Sequence, residues 1–425
     1  MRWTLATRIA FRLCCLYFSL YVIATQMLSS LLPIPNFGIP SLENAAAMQR
    51  VVTWVAVHVL RVSYPFSFRT TGSGDKTADF ALTFTLLLAA VVGTAIWSVV
   101  DRRRDNYVRM NTWFRLFLRL SLAGTMVTYG TIKAIPVQMP YPSLTRLLEP
   151  YGNFSPMGVL WYSIGASRPY EMFAGSAELL AAVMLFVPRL SLLGALVALA
   201  DSIQIFTLNM TYDIPVKLFA FHLILISLVL LAPEATRLAN VLVFNRTAPP
   251  SSQPPLVRGR RAAGIALALQ LVFGAYVIGM GFYGSWQGWK LYGGGAEKSA
   301  LYGIWNVEQM AVDGVTRSPL ITDWGRWRRL VFQVPAAMSF QRMDDTFSGY
   351  PAAIDKSAKT ITLTKPADKN WKAVFAYQQP DAERLILDGQ MDGHKVRMET
   401  RLFDRDKFLL VKSGFRLIQE APFNR

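Results

Sequence analysis

The sequence predicts an α-helical polytopic membrane protein of about seven spans followed by a small antiparallel β-barrel-like domain. Three observations predict it. The 425-residue chain is 52% hydrophobic and only 17% charged, with a mean hydropathy of +0.29, whereas long soluble domains carry about a quarter charged residues. Seven apolar segments reach the roughly 20 residues that a membrane crossing needs. From Leu301 onward the pattern changes from helical periodicity to alternation, punctuated by Asp-Gly pairs.

The apolar segments cover about 9–32, 79–100, 113–135, 169–187, 190–210, 214–232 and 262–284. An odd number puts the termini on opposite sides. With the N-terminus in the cytoplasm, the inner segments 1–8, 101–115, 188–190 and 233–261 hold 13 Lys/Arg, and the outer loops 33–77, 136–168 and 211–213 hold 6. Basic residues concentrate on the cytoplasmic side, so this bias predicts an N-in, C-out chain. The net charge of +17 follows the same division, residues 1–284 holding 23 Lys/Arg against 11 Asp/Glu. That excess reports membrane topology, with no nucleic-acid partner implied. Arg2, Arg8 and Arg12 before an apolar core also suit a signal peptide, but no small-x-small cleavage site follows and an uncleaved anchor is expected. Residues 51–60 are apolar but interrupted by His58; too short to cross, they read as an interfacial or re-entrant helix.

Five regions follow: a two-span N-terminal part with an interfacial segment (1–112), a four-helix core (113–244), a polar, Pro-rich cytoplasmic linker (245–261), a seventh helix (262–284) and an extracytoplasmic β-rich domain (296–425). Gly293-Gly294-Gly295 is a flexible joint before the last. Residues 359–364, 371–377 and 384–387 alternate as strands, and Asp392-Gly393 and Asp313-Gly314 each signal a two-residue hairpin. About eight short strands are expected, enough for a small barrel. Gly303-Ile304-Trp305 has the Gly-x-Trp spacing that opens the first strand of lipocalins, which makes Trp305 a candidate buried plug. The two cysteines, Cys14 and Cys15, are adjacent. With no CxxC and no zinc quartet, redox chemistry would be borrowed from a cofactor or a partner subunit.

Ionisable residues inside spans are costly and suggest sites or buried pairs. Lys133, Glu171, Asn209, Asp213 and Lys217 lie toward the outer leaflet under this topology, and Glu178, Asp201 and His222 lie nearer the midplane. Glu171, Gly175 and Glu178 share a helical stripe, as do Tyr129 and Lys133. Lys133, Asp213 and Lys217 are long enough or near enough to a span end to reach the interface; Glu178 and Asp201 are too short to do so from mid-span. Asp213 and Lys217 are four apart and able to pair. Lys217 and His222 differ by about 140° on a regular helix and cannot aim at one point. Glu178 and Lys133 are therefore the candidate catalytic residues, with Glu171, Asp201, Asn209, Asp213, Lys217 and His222 as candidate ligand-binding groups; no metal set is expected. Gly72-Ser73-Gly74-Asp75-Lys76-Thr77 evokes a phosphate loop but lacks its spaced glycine, and reads as a polar turn capping the second span.

From about Trp113 to Glu234 the chain resembles the DoxX family of bacterial inner-membrane proteins. The resemblance is carried by Arg115 and Arg119 leading into Gly130-x-x-Lys133, by Met139-Pro-Tyr-Pro-Ser143 and Ser155-Pro-Met-Gly-Val-Leu-Trp161, by Gly175-x-x-Glu178-Leu-Leu180, and by the run from Asn209 through Asp213 and Lys217 to His222. Larger DoxX-like proteins also carry a segment like Thr71-Gly72-Ser73-Gly74-Asp75 and a β-rich tail ending like Glu420-Ala-Pro-Phe-Asn-Arg425. The resemblance implies a location in the bacterial cytoplasmic membrane and a link to quinone-coupled redox chemistry. More distantly, the core is similar to the membrane domain of vitamin K-dependent carboxylases, which would make Lys133 or Lys217 a base. Three functions stay open: a quinone-interacting redox or accessory subunit, a handler of lipid or another apolar ligand, and a non-catalytic assembly factor. Whether the chain is catalytic is left open by the sequence.

Overall fold

Inside lipid, backbone polar groups must be satisfied within the segment, and helices do this alone. The computed structural model describes residues 2–424 other than Asn36, Ser252, Phe415 and the side chain of Lys369; Arg425, the last residue of the tail motif, lies outside the described residues. Two compact units emerge, Met1–Gln138 with Arg168–Gly288, and Met139–Ser167 with Trp289–Arg425.

The first unit is helical. In chain order it contains α1 (Leu5–Ala24), α2 (Met27–Leu31), α3 (Ala46–His58), α4 (Thr77–Val100) and α5 (Val108–Ala134). After α6 (Leu144–Leu148) and α7 (Pro156–Ala166), which belong to the second unit, the first resumes with α8 (Arg168–Phe186), α9 (Ser191–Thr211), α10 (Lys217–Leu231), α11 (Ala235–Leu242) and α12 (Arg260–Tyr292). Among the described residues, five helical stretches are long and apolar enough to cross a membrane: Leu5–Ala24, Thr77–Val100, Pro188–Thr211, Lys217–Leu242 and Arg260–Tyr292. They fall on the first, second, fifth, sixth and seventh expected segments. The third and fourth are also helices, α5 and α8, but α5 carries Arg109, Arg115, Arg119 and Lys133, and α8 carries Arg168, Glu171 and Glu178.

Those charges are placed, not scattered. Arg12 of α1 is 1% exposed; it donates to Tyr107 Oη at 2.7 and 3.0 Å, to Ser98 Oγ at 2.7 Å and to Asp101 O at 3.0 Å. It thereby ties α1 to the turn between α4 and α5. Around it Phe11, Trp97, Tyr107 and Phe114 stack edge and face. The turn before α4 also does two jobs. Asp79 Oδ2 accepts from Lys76 N at 2.8 Å, capping α4, while Asp75 accepts from Lys217 N at 2.8 Å and Leu218 N at 2.9 Å, capping α10.

The second unit holds a closed antiparallel barrel of eight strands. They are β1 (Gly303–Val312), then, after the two-residue β2 (Val315–Thr316), β3 (Trp327–Phe332), β4 (Ala337–Arg342), β5 (Phe347–Asp355), β6 (Thr360–Lys365), β7 (Asp368–Asp381), β8 (Arg384–Met391) and β9 (His394–Leu402). Each strand pairs with the next in an up-and-down order, and β1 closes the ring on β9, with β2 a short hairpin arm of β1. Both Asp-Gly pairs form the expected turns: Val312 faces Val315 and Met391 faces His394, with all four turn residues at φ between 50° and 81°. Such left-handed pairs match the twist of the flanking strands. The interior is filled by one cluster that includes Trp305, Trp327, Phe332, Phe340, Phe375 and Met398. Trp305 is 2% exposed and donates its indole N–H to Leu301 O at 2.9 Å. Leu144 of α6 packs on Ile304 and Val331, and its N–H donates to Gln333 Oε1 at 2.7 Å.

Candidate functional site

The site grows from a close helix crossing. A Cβ on Gly175 of α8 would lie 2.5 Å from Gly130 O and from Ala134 N of α5, and one on Gly130 would lie 3.0 Å from Gly175 O. Only hydrogen at both positions lets the two backbones meet. Three residues beyond each glycine stand Lys133 and Glu178, and their side chains form an ion pair at that seam. Glu178 is 1% and Lys133 8% exposed. The spacing Gly-x-x-Lys on one helix and Gly-x-x-Glu on the other is thus one device, contact first and charge pairing one turn later.

The pair is not saturated. Among the described residues, Glu178 Oε2, Asp201 Oδ2 and Ser202 Oγ are buried without a hydrogen-bond partner, an arrangement that costs free energy unless another group visits. Asp201 of α9 is within electrostatic reach of both Lys133 and Glu178. The Lys133 ammonium stands 5.9 Å from the ring centre of Tyr129, one turn earlier on α5. Tyr129 Oη in turn accepts from Gln26 Nε2 at 3.1 Å. Asp201, Lys133, Glu178 and Tyr129 are therefore neighbouring ionisable side chains, of which Lys133 and Glu178 are in direct contact.

Tyr129 also lines a cavity of about 240 Å³. Its walls include the aromatic side chains of Tyr21, Phe68, Tyr129 and Phe219, and the charged and amide groups of Gln26, Glu43, Lys76 and Asp79 together with several Thr and Ser hydroxyls. Ser41 Oγ donates to Glu43 Oε1 at 2.8 Å, yet burial dominates and pushes the Glu43 carboxyl up from its ordinary value. A carboxyl so placed takes up a proton at milder acidity than one in water.

The other expected site residues divide into separate clusters. His222 is 2% exposed, stacked on Tyr21 with ring centres 3.9 Å apart, and hydrogen-bonded through Nε2 to Tyr17 Oη and through Nδ1 to Leu218 O, both at 2.7 Å. The Leu218 carbonyl requires the proton on Nδ1, so Nε2 accepts from Tyr17. Tyr21 connects this cluster to the cavity wall. Lys217 pairs with Asp213 at 2.8 Å and lies 3.8 Å from Asp75. Asn209 donates to Val216 O at 3.4 Å, closing the α9–α10 turn. Glu171 is fully buried in the first turn of α8, where a carboxylate suits the helix dipole. Among the described residues, no group of three or more His, Cys, Asp or Glu is arranged to hold a metal.

Sequence reasoning missed Asp75 as an α10 cap, and Glu43, Gln26, Lys76 and Tyr21 as cavity groups. Asp75 sits 142 residues from its partner Lys217, and no local period announces such a pairing. The one available signal was the Gly72-Ser73-Gly74-Asp75 segment, too polar and too glycine-rich for a plain turn.

No family model matches the chain, and no solved structure matches it. Over 113 residues it is 33% identical to the uncharacterized protein YwoB of Bacillus subtilis (strain 168), an alignment covering 27% of this chain and 71% of that protein. Over that stretch the chain belongs to the family of YwoB.

Proposed function

We propose that the helical unit binds the headgroup of a quinone in the Tyr129 cavity and exchanges protons with it through Tyr129, Lys133, Glu178 and Asp201. The observation that carries this reading is the adjacency of an aromatic cavity to a buried, unsaturated charge cluster. A cavity of about 240 Å³ is smaller than the roughly 300–1,000 Å³ of pockets that enclose a whole ligand. It suits a flat ring whose apolar tail stays in the bilayer. Stacking on Tyr21 or Phe219 would hold the ring, and Gln26 or Tyr129 would hydrogen-bond a carbonyl oxygen. Electrons would come from a redox partner subunit, since the chain offers only Cys14 and Cys15, half-buried among apolar side chains.

In this reading all seven apolar helices cross a bacterial cytoplasmic membrane, α5 and α8 included, with the N-terminus inside and the barrel outside. The 27 residues of α5 reach about 40 Å, enough to cross, with Arg109, Arg115 and Arg119 all in its N-terminal half. The resemblance to DoxX proteins supports the same class of chemistry. Mild-detergent purification followed by mass spectrometry of retained small molecules tests it. Wild-type protein is expected to retain a quinone, and Glu178→Gln, which keeps size and an acceptor for Lys133 but not the charge, is expected to lose it while still folding, at a lowered thermal midpoint. Retention of lipid alone would favour the apolar-ligand reading, and a stoichiometric protein partner with no small molecule would favour the assembly factor.

A further inference from the structure

A second cavity, of about 520 Å³, opens in the helical unit among α5, the start of α9, the end of α10, α12 and, from the Pro-rich segment, Ser251 and Gln253 to Leu256. Four arginines line it, Arg115, Arg119, Arg189 and Arg237, against the single carboxylate Glu234. Glu234 is already engaged, accepting from Arg237 and from Ser251 Oγ. Arg115 is held by neutral acceptors, Gln253 Oε1 at 2.6 Å and Leu230 O at 3.2 Å, and Arg119 by Gln270 Oε1. Among the described residues neither makes an ion pair, nor does Arg189, and the Nε atoms of Arg115 and Arg119 are buried without a partner. Glu234 is only within electrostatic reach of Arg115.

Arginines that merely mark the cytoplasmic side of a membrane protein need no more than exposure to water. Arg115 and Arg119 are instead half-buried, positioned by glutamines, and one turn apart on the same helix face, where like charges repel. The first turn of α9, with Ser191 and Leu192 in the cavity wall and no side-chain cap, adds its positive end to the same space. Fixed guanidinium forks around an empty volume, with neutral groups holding them in place, are suited to a tetrahedral oxyanion.

We infer that this cavity binds a phosphate-bearing anion, supplied as the headgroup of an anionic phospholipid or as a soluble phosphate. The inference is independent of the quinone reading, since it concerns other residues. Full-length protein in neutral detergent would be titrated with dioleoyl phosphatidylglycerol and dioleoyl phosphatidylcholine, with bound lipid counted by native mass spectrometry, and with inorganic phosphate by calorimetry. Retention of phosphatidylglycerol at least tenfold over phosphatidylcholine, with no phosphate binding, identifies the lipid source. Saturable phosphate binding with no lipid preference identifies the soluble one. In either case Arg115→Gln with Arg119→Gln should weaken binding at least tenfold. Arg189→Gln, at an exposed turn residue whose loss spares the fold, should weaken it severalfold. Equal retention of both lipids together with no phosphate binding would overturn the inference. Unchanged binding in Arg189→Gln and the double variant would overturn it too; if the double variant does not fold, Arg189→Gln alone decides.

Discussion

The two units place their ion pairs differently. The helical unit buries Arg12, Lys133, Glu171 and Glu178, and the Lys133–Glu178 pair keeps an acceptor oxygen unused. The barrel fills its interior with aromatic and aliphatic side chains, buries Arg326 against the backbone carbonyls of Trp327, Val307 and Glu308, and carries its charge pairs, such as Arg401–Glu308 and His394–Asp313, where water reaches them. Burying charge is expensive and stabilises little even when paired. Among the described residues, a buried carboxylate–ammonium pair occurs in the helical unit, whereas the barrel's ion pairs lie nearer its surface.

The largest expected effect tests that contrast at Glu178. Removing one partner of a buried pair strands the other, at a cost of about 3–5 kcal/mol, so Lys133→Met and Glu178→Leu should each sharply lower the thermal midpoint in detergent. The double variant should recover most of the loss, because the seam then holds two apolar side chains. A double variant as unstable as the sum of the singles would show that the pair does not act as a unit. In the barrel, Trp305→Ala should destabilise by about 3–5 kcal/mol through cavity formation, read as loss of near-ultraviolet circular dichroism from residues 289–425 together with 139–167. A cost below about 1 kcal/mol would mean the plug is dispensable.

The smallest effect is acid sensitivity at the β1–β2 turn. There the hydrogen bond from His394, followed by the Lys395 N–H, holds the Asp313 carboxyl below its ordinary value. A depressed carboxyl contributes stability above its unfolded pKa, about 3.9, and loses that contribution as pH falls through the folded value. Asp313→Asn should therefore slightly lower barrel stability at neutral pH and flatten the acid limb below about pH 4, where the variant and the wild type converge. An unaltered acid limb would put the sensitivity elsewhere.

These contrasts were unequally legible in the sequence. The hairpins at Asp313-Gly314 and Asp392-Gly393 and the buried Trp305 rest on local signals, turn chemistry and period two, and the observed strands follow them closely. The helices are equally local, because a run of 20 apolar residues leaves few alternatives. The pairing of Lys133 with Glu178 was half legible: Gly-x-x-Lys and Gly-x-x-Glu each marked a stripe, but only the α5–α8 crossing shows that the glycines touch. His222 with Tyr17 and Tyr21, Asp75 with Lys217, and Leu144 with Ile304 depend on contacts between distant segments. No periodicity encodes which helix faces which, so these were beyond a reading of one sequence.

The most direct test of the division between a chemical helical unit and a filled barrel is photolabelling of the intact protein. The reagent is a quinone analogue bearing an azido group on its ring, and the labelled peptides are mapped by mass spectrometry. Label is expected on peptides containing Tyr21, Phe68, Tyr129 or Phe219, competed away by unlabelled quinone and lost in Glu178→Gln. Label confined to barrel peptides such as those containing Tyr350 or Trp371, or no competable label at all, would contradict it.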